Sequence, residues 1–383
     1  MKKKLKVAVG LSGGVDSTVA AYLLREQGYD VVGVTLKFQP GENRCCDLDS
    51  ITQARHLCYK LALPYYVFDV EEEFRREVID YFIHSYLTGN TPNPCAVCNR
   101  QIRFGWFIEK VKSFGIDLLA TGHYARIVDI GNKLYLSRGK DKKKSQEYFL
   151  GMIDPKILDR LIFPLGEMTK NEVKRLAEQA GLMFIPRPES QDVCFAEGRG
   201  YAEFLEKRLA GSEPRTGPIK DLRGNILGEH RGIHRFTYGQ RRGLGVTSAR
   251  PLYVVDIDSK TNTVVLGEKK DTLKNSFFVS SLNWFYTPGD YRNIAVKVRR
   301  ESPPLPCSLV RDDKRTVCRL EKEVSAPTPG QLAVFYDGDN VIAGGWIEKS
   351  EPILSGERDK VGEHQSGAHS LSRIGAVPRS HNL

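Results

Sequence analysis

The sequence predicts an α/β fold in which a doubly wound parallel sheet is followed by two small β-rich domains. Residues 5–125 alternate short apolar runs, such as LKVAVGL and VVGVTLKF, with amphipathic stretches such as STVAAYLLREQGY. Buried strands that alternate with helices are typical of a parallel sheet. After Pro186 the chain turns to Gly- and Pro-rich segments with short alternating runs, a pattern typical of small β domains, including barrels.

These changes in composition and hydrophobic pattern predict four segments. A first domain covers residues 1–200, a central β-rich domain 201–275 and a C-terminal β-barrel 276–349. Residues 350–383 are rich in Ser, Gly, His and Arg without periodicity, and we expect a disordered tail there. The tail holds equal numbers of basic and acidic residues, so the net charge of +10 belongs to the folded part.

Composition restricts the classes of function. At 40% hydrophobic and 27% charged residues the chain reads as soluble and globular, and no apolar run reaches the ~18 residues of a membrane span. The start MKKKLKVAVGL mimics a signal peptide, but its apolar stretch is short and alternates like a strand. We therefore expect a cytoplasmic protein. The pI near 9.1 favours a polyanionic partner, RNA or DNA, although a solvated basic surface would give the same charge.

One later helix carries clear boundary signals. Thr169 precedes the stretch KNEVKRLAEQA, Glu172 follows it at capping-box spacing, and Gly181 stands where the helix should end. The sequence therefore predicts a helix between these positions.

The stretch VAVGLSGGVDSTVAAYLL predicts a strand, a glycine loop and a helix. Gly13 and Gly14 allow a ligand close to the backbone, Ser12 and Ser17 offer hydroxyls, and the helix N-terminus offers free N–H groups. The loop lacks the lysine of a Walker A motif and is not G-x-G-x-x-G. A tight turn without function would need only the glycines, so the full string SGGVDS indicates a phosphate-binding loop.

The eight cysteines are too sparse for a disulfide scaffold. TPNPCAVCNR contains a C-x-x-C pair, which in a reducing compartment is more often metal-binding or catalytic than structural. Cys45 and Cys46 lie in a predicted loop that could border the nucleotide. Cys58, Cys307 and Cys318 fall in helix or strand patterns, and we expect them in the core.

SGGVDS resembles the signature of the PP-loop ATP pyrophosphatases, an adenine nucleotide α-hydrolase-like fold. The motifs TPNPCAVCNRQIRFG, ATGHYAR, KSQEYFLG, ESQDVCF, GQRRGLG and TPGQLAVFY follow in order. Together they resemble the tRNA-specific 2-thiouridylases of the MnmA family, from about residue 5 to residue 348. Only the tail falls outside this resemblance.

The resemblance implies a tRNA-uridine 2-sulfurtransferase that uses ATP to thiolate the wobble uridine of tRNAs for Glu, Gln and Lys. ATP would adenylate the C2 oxygen, and sulfur would replace it. The first domain would bind ATP, with Asp16 near the pyrophosphate and its Mg²⁺ ion, and the last domain would bind tRNA. The implied ATP-binding residues are Gly10, Leu11, Ser12, Gly13, Gly14, Val15, Asp16, Ser17, Leu36 and Gly122.

Cys98 and Cys194 match the two cysteines of the family's chemistry. Cys194 would carry a persulfide delivered by a sulfur-relay protein or directly by a cysteine desulfurase. Cys98 would attack it, releasing sulfur and leaving a disulfide to be reduced. Cys98 follows two prolines and is predicted to open the helix NRQIRFGWFIEKV, where the helix N-terminus would lower its pKa.

Cys95 departs from the family pattern, in which many members carry Asp. Cys95, Cys98 and Cys194 form a three-thiol set that could hold an iron–sulfur cluster, leaving one iron open for sulfide. Zinc is a second option, although structural zinc usually has four protein ligands. The third is that Cys95 is a spare thiol and the persulfide route operates.

The resemblance also implies contacts with tRNA. Asn93, Pro94 and Cys95 match the segment that meets the target base. The other matched contacts are Lys144, Ser145, Gln146, Arg299 and Arg300. The family shows Asp at the position of Ser145, which puts that contact in doubt.

Lys142, Lys143, Arg241 and Arg242 are further basic candidates, each with a solvated face as the plainer interpretation. His123 reads as a loop histidine without a catalytic role.

Three other functions compete with this one. A PP-loop ligase or amidotransferase for a small molecule would need neither paired cysteines nor basic β domains. A thiolase for another base, such as 4-thiouridine, usually carries an RNA-binding domain before the PP-loop. A non-catalytic RNA-binding protein would not be expected to retain an intact SGGVDS.

Overall fold

The structure, a computed structural model, describes residues 4–38, 48–182, 193–196, 200–209, 215–312 and 315–349. Cys45, Cys46 and the predicted tail at 350–383 lie outside these ranges, so those predictions stay open. No helix in the described ranges is long and apolar enough to cross a membrane.

Seventeen strands are present in the described part of the chain. The first domain contributes β1 (Lys6–Gly10), β2 (Asp30–Lys37), β3 (Tyr65–Asp69), β4 (Leu118–Thr121), β5 (Ala125–Ile130), β6 (Lys133–Arg138) and β7 (Leu161–Ile162). The remainder are β8 (Gly217–Asp221), β9 (Ile226–His230), β10 (Tyr253–Asp258), β11 (Thr263–Gly267), β12 (Leu273–Trp284), β13 (Ile294–Lys297), β14 (Leu305–Asp312), β15 (Arg315–Ser325), β16 (Leu332–Asp337) and β17 (Asn340–Ile347).

The helices of the described part concentrate in the first domain. They are α1 (Val15–Glu26), α2 (Leu48–Lys60), α3 (Glu71–Phe74), α4 (Asp80–Leu87), α5 (Pro94–Cys98), α6 (Phe107–Ser113), α7 (Lys170–Gln179) and α8 (Tyr201–Arg208). π-Helical turns join α3 to α4 (Arg75–Ile79) and α5 to α6 (Asn99–Trp106). Four short 3₁₀ segments complete the set: Glu147–Leu150, Pro155–Arg160, Ile233–Arg235 and Lys269–Thr272.

The predicted parallel sheet is confirmed. Its strand order is β3-β2-β1-β4-β7, and all four pairings are parallel. Successive residues of β1 alternate between two apolar layers, since Ala8 belongs to one core and Val7 and Val9 to the other. Burial on both faces is what a sheet covered by helices on each side requires.

The C-terminal strands close into a barrel. The order β12-β15-β14-β13-β16-β17 is completed by pairing between β12 and β17. The β5–β6 hairpin of the first domain extends the same sheet through the pairing of Asn340 with Ser137, which the sequence did not predict. The central strands form a separate four-stranded sheet in the order β10-β11-β8-β9.

A buried polar cluster lies where the barrel meets the first domain. Glu147, fully buried, accepts a hydrogen bond from the Tyr336 hydroxyl at 3.0 Å and another from Ser145. The Lys297 ammonium lies 3.5 Å from the same carboxylate. Burial lowers the pKa of Lys297, and the Glu147 charge opposes that shift. A buried charge needs such partners, so the cluster ties the barrel to one place on the first domain.

Candidate functional site

The glycine loop between β1 and α1 is shaped by its surroundings. Gly13 has φ +71°, and a Cβ there would lie 2.9 Å from the Ser50 carbonyl oxygen, so only glycine fits. The Ser17 hydroxyl accepts a hydrogen bond from the Ser12 backbone N–H at 3.2 Å and donates to the Gly14 carbonyl at 3.1 Å. The loop is therefore closed by its own serines and leads into the N-terminus of a helix, where phosphate groups commonly bind.

Asp16, in the first turn of α1, is held by two residues that the sequence analysis missed. The Lys170 ammonium contacts both carboxylate oxygens at 2.7 Å, and the Tyr124 hydroxyl donates to one of them at 2.6 Å. Thr169 caps α7 and forms the predicted capping box with Glu172, which is confirmed. The capped helix places Lys170, its first residue, over the loop. No local sequence signal links Lys170 to Asp16, because 154 positions separate them.

Gly122 packs directly against the start of α1. A Cβ at Gly122 would lie 2.8 Å from both the Asp16 carbonyl carbon and the Ser17 nitrogen, so a larger residue would displace the loop. Leu36 is buried near the carboxyl end of β2. The carboxyl ends of parallel strands are where ligands bind in such sheets. The structure thus gathers Gly10, Leu11, Ser12, Gly13, Gly14, Val15, Asp16, Ser17, Leu36 and Gly122 along one edge.

The predicted start of the cysteine helix was wrong. The helix begins at Pro94, with Asn93 as the N-cap accepting from the Ala96 N–H at 3.1 Å. Cys98 is therefore the last residue of α5 and lies one turn inside, whereas Cys95 occupies the first turn. Asn followed by Pro is a recognised start signal that the sequence analysis passed over. The helix N-terminus therefore lies beside Cys95 and not beside Cys98.

The barrel holds the segment in front of that helix. The Gln331 amide nitrogen donates to the Pro92 carbonyl at 2.8 Å and to the Thr91 carbonyl at 3.1 Å, and its oxygen accepts from the Asn93 amide at 3.3 Å. Gly330 has φ +87°, and a Cβ there would lie 2.8 Å from the Thr91 oxygen. The motif TPGQ, to which the sequence analysis assigned no role, thus fixes the position of TPNP.

Cys98 and Cys194 contact the same apolar core. Cys98 is buried within it, and the half-buried Cys194 packs against it. Phe195 anchors the short turn that carries Cys194, with its ring centroid 5.1 Å from that of Phe82 and 5.7 Å from that of Phe74. Cys95 is exposed. Both predicted catalytic cysteines therefore belong to the same apolar core, although the segment just before Val193 is not described.

The residues present do not fit an iron–sulfur cluster. In the described ranges, no three His, Cys, Asp or Glu side chains are arranged to hold a metal ion, so Cys95, Cys98 and Cys194 do not converge as cluster ligands must. A magnesium ion has a different requirement, because it is commonly held by one or two carboxylates together with substrate phosphates. Asp16, at the phosphate-binding loop, meets that requirement.

The loop that was matched to a tRNA contact divides into structural and exposed parts. Ser145 is buried, and its hydroxyl accepts from the Gly139 N–H at 2.8 Å and donates to Glu147. The Gln146 side-chain oxygen accepts from the Tyr124 N–H at 2.9 Å. Ser145 and Gln146 therefore shape the loop, and Lys144 is partly exposed beside the exposed Lys142 and Lys143.

Arg299 and Arg300 were expected on a strand but lie in the turn after β13, which ends at Lys297. The Arg299 guanidinium donates to the Ala326 carbonyl at 3.0 Å. Arg300 lies 5.9 Å from the Phe149 ring centroid, and the Phe149 carbonyl accepts from the Asn99 amide at 3.2 Å. The turn therefore lies close to the helix that carries the cysteines.

The remaining predictions concern basic, histidine and core residues. Arg241 and Arg242 are exposed and line an open groove of about 850 Å³ together with Arg231 and Arg235. Burial, aided by the Arg103 charge, lowers the pKa of the partly exposed His123 to about 3, so its imidazole is neutral at pH 7.

The three cysteines expected in the core lie there, which confirms that prediction. Cys58, Cys307 and Cys318 are all buried. Burial raises the pKa of the Cys58 thiol to about 12, so this cysteine is a poor nucleophile at pH 7.

Comparison with known proteins places the chain. Three family profiles match in succession: the tRNA methyl transferase HUP domain over residues 5–198, the tRNA methyl transferase PRC-barrel domain over 202–268, and the aminomethyltransferase β-barrel domain over 274–347. The tRNA-specific 2-thiouridylase MnmA of Aquifex aeolicus is 42% identical over 357 residues, covering 90% of this chain and 99% of that protein.

Two further relatives agree. The tRNA-specific 2-thiouridylase MnmA of Carboxydothermus hydrogenoformans is 44% identical over 358 residues, covering 90% of this chain and 98% of its own. The tRNA-specific 2-thiouridylase MnmA of Geobacter metallireducens is 41% identical over 360 residues, covering 91% of this chain and 98% of that protein. The phosphate-binding loop, the cysteine helix and this similarity over the length of both chains lead to one conclusion: the chain belongs to the MnmA family of tRNA-specific 2-thiouridylases.

Proposed function

We propose that this protein is a tRNA-uridine 2-sulfurtransferase acting in the cytoplasm, and that it thiolates the wobble uridine of tRNAs for Glu, Gln and Lys at the expense of ATP. The observation that carries the proposal is an intact phosphate-binding loop in the same domain as two cysteines that contact one apolar core. Family membership and the basic loops near the cysteine helix support tRNA as the substrate.

The first step is adenylation. The uridine C2 oxygen attacks the α-phosphorus of ATP, the bond to the β-phosphate oxygen breaks, pyrophosphate leaves, and the uridine N3 proton is released. The loop backbone and the N-terminus of α1 would hold the phosphates. Asp16 would hold a magnesium ion, which neutralises phosphate charge when bound. Asp16 would have to leave Lys170 to do so, and the freed ammonium would then face the phosphates.

The second step is sulfur transfer. Cys194 would carry a persulfide supplied by a relay protein or a cysteine desulfurase. The Cys98 thiolate attacks the inner sulfur, forming a Cys98–Cys194 disulfide and expelling hydrosulfide. Hydrosulfide adds to C2 and expels AMP, and a thiol reductant returns two electrons to the disulfide. Cys98 is buried in an apolar core and Cys194 packs against it, so this core would limit the loss of sulfide to solvent.

The domain roles remain proposals. Residues 1–200 would hold ATP and the cysteines, 201–275 the central β-rich domain, and 276–349 the barrel that contacts tRNA through Arg299 and Arg300. The ranges of the three family profiles support this division. Lys144 and its lysine neighbours would contact RNA phosphates, and Asn93, Pro94 and Cys95 would meet the base.

Purified protein tests the proposal with unmodified tRNA, ATP and a cysteine desulfurase with cysteine. We expect Cys98→Ser and Cys194→Ser to lower 2-thiouridine formation by about 10³-fold or more while tRNA-dependent pyrophosphate release stays within about 3-fold of wild type. Cys95→Ser replaces the thiol next to the base by a hydroxyl of similar size, so thiolation should fall far less than in the other two variants.

Anaerobic protein is analysed for iron and sulfide in parallel. About four iron atoms per chain, lost in each of the three cysteine variants, would overturn the persulfide route. Absence of tRNA-dependent pyrophosphate release from the wild type would overturn the function itself.

A further inference from the structure

The helical segment that begins at Pro94 carries an arginine over the nucleotide edge of the parallel sheet. The Arg103 guanidinium lies 5.4 Å from the centroid of the Phe38 ring. Phe38 is the residue immediately after β2, so its ring marks the carboxyl end of that strand. Arg103 is partly exposed, whereas Ile102 and Phe104 on either side of it are buried.

The helix segment around Arg103 also contacts a residue just beyond the end of β4. His123 follows Thr121, the last residue of that strand, and its ring nitrogen Nδ1 lies 2.7 Å from the Thr121 hydroxyl oxygen. The positive charge of Arg103 also contributes to the lowered pKa of His123. The Phe104 ring centroid lies 5.7 Å from that of His123.

The order of the strands shows where these two contacts place the helix segment relative to the sheet. In the sheet, β1 lies between β2 and β4. A helix segment that contacts residues just beyond the carboxyl ends of both outer strands, Phe38 and His123, therefore crosses the end of β1, where the phosphate-binding loop begins. The chain order also reverses there, because β2 and β3 lie on one side of β1 and β4 and β7 on the other. Ligands of doubly wound sheets bind at this switch point.

The π-helical turn positions the side chain. Asn99–Trp106 is π-helical, and a Cβ at Gly105 would lie 2.7 Å from the Arg100 carbonyl oxygen, so this wide turn requires glycine there. π-Turns of this kind occur frequently at functional sites. Cys98 precedes the turn on the same continuous helix, so Arg103 is tied rigidly to a cysteine that the proposed reaction uses.

We propose that Arg103 binds the α-phosphate of the nucleotide, both in ATP and in the adenylated uridine. The assignment rests on the proposed function and deepens it. As the bond from the C2 oxygen to the α-phosphorus forms and pyrophosphate leaves, the guanidinium stays on the α-phosphate oxygens. It remains there until hydrosulfide adds to C2 and the C2–oxygen bond breaks, releasing AMP with its negative charge stabilised.

Arginine suits this task. Its planar guanidinium presents paired donors to phosphate oxygens and stays charged at every working pH. The loop lacks the Walker lysine, and Lys170 approaches from the α7 side, toward Asp16. Arg103 approaches from the side of Phe38 and His123, so the two cations would hold different phosphates.

Nucleotide binding provides a test that does not require turnover. Affinities of ATP, AMP and adenosine are measured by calorimetry for the wild type, Arg103→Met and Arg103→Lys. Arg100→Met is the matched control, an exposed arginine on the same π-turn. We expect Arg103→Met to weaken ATP and AMP by a similar factor, about 10-fold, and to leave adenosine unchanged. Arg103→Lys should lose less affinity for ATP and AMP than Arg103→Met. Arg100→Met should bind ATP, AMP and adenosine as tightly as the wild type.

A turnover assay provides a second test. Single-turnover pyrophosphate release with tRNA should fall about 10²-fold in Arg103→Met, because a preorganised cation acts on charge that develops in the transition state. Unchanged AMP affinity in Arg103→Met and Arg103→Lys, with only ATP weakened, would overturn the assignment to the α-phosphate. An equal loss of adenosine affinity would also overturn it. A wild-type protein that binds AMP through Arg103 but neither releases pyrophosphate with tRNA nor thiolates it would support this assignment while refuting the proposed function.

Discussion

The phosphate-binding loop and the cysteine site are built in different ways. The loop is almost complete within Ser12–Ser17, where glycine conformation and two serine hydroxyls shape it locally. The cysteine site needs Cys98 from one helix, Cys194 from a separate turn and Gln331 from the barrel. A local site can be recognised from a short motif, whereas an assembled site depends on interfaces that lie far away in the sequence.

The largest expected effect concerns the interface between the barrel and the first domain, on which the cysteine site depends. Glu147→Gln would leave Lys297 buried without its carboxylate, and we expect the free energy of unfolding to fall by about 3–5 kcal/mol. Urea unfolding measures it. The double variant Glu147→Gln with Lys297→Met should recover most of the loss, because no unpaired buried charge remains. Equal losses in the single and double variants would mean that the ion pair is not the cause.

A smaller effect separates local positioning from general stability. Asn283→Ala removes two amide–carbonyl hydrogen bonds between the barrel and the first domain, to Gly151 and Ile153 at 3.2 and 2.8 Å. Gln331→Ala removes two of the same kind and also the weaker bond from the Asn93 amide at 3.3 Å. Both should lose about 2 kcal/mol of stability. Only Gln331→Ala should slow thiolation, by about 10-fold, because it releases the segment before Cys95. Equal thiolation rates in the two variants would show that the clamp does not position the site.

The smallest expected effect concerns α7, the helix that carries Lys170 over the phosphate-binding loop. The Thr169 backbone N–H and the Lys140 ammonium lower the pKa of Glu172 to about 2, against an ordinary value of 4.5. A carboxyl whose folded-state pKa is depressed stabilises the fold above about pH 4.5, and that contribution is lost as the pH falls toward 2. Melting curves of wild type and Glu172→Gln should therefore differ slightly at pH 7 and converge only as the pH approaches 2. Glu178→Gln, exposed on the same helix, is the control, and a gap that persists at low pH would refute the prediction.

Much of the fold follows from pattern. Apolar runs alternating with amphipathic stretches predicted the parallel sheet, and a capping box predicted the start of α7. The start of the cysteine helix was missed because Pro94 was taken as part of a loop, although Asn93 and Pro94 together form a good N-terminus. The prediction that Arg299 and Arg300 lie on a strand was wrong, because β13 ends at Lys297, two residues before Arg299.

By itself, the sequence determined the phosphate-binding loop, the parallel sheet and the family, because each depends on residues close together in the chain or on motifs in a fixed order. Only the tertiary structure decided that Lys170 holds Asp16, that Gln331 holds the segment before the cysteines and that Arg103 lies over the Phe38 ring at the end of β2. These contacts join residues from different elements, and no local spacing encodes them. Their geometry arises when helices and barrel pack on the sheet, since burial and hydrogen bonding select one arrangement of the packed elements.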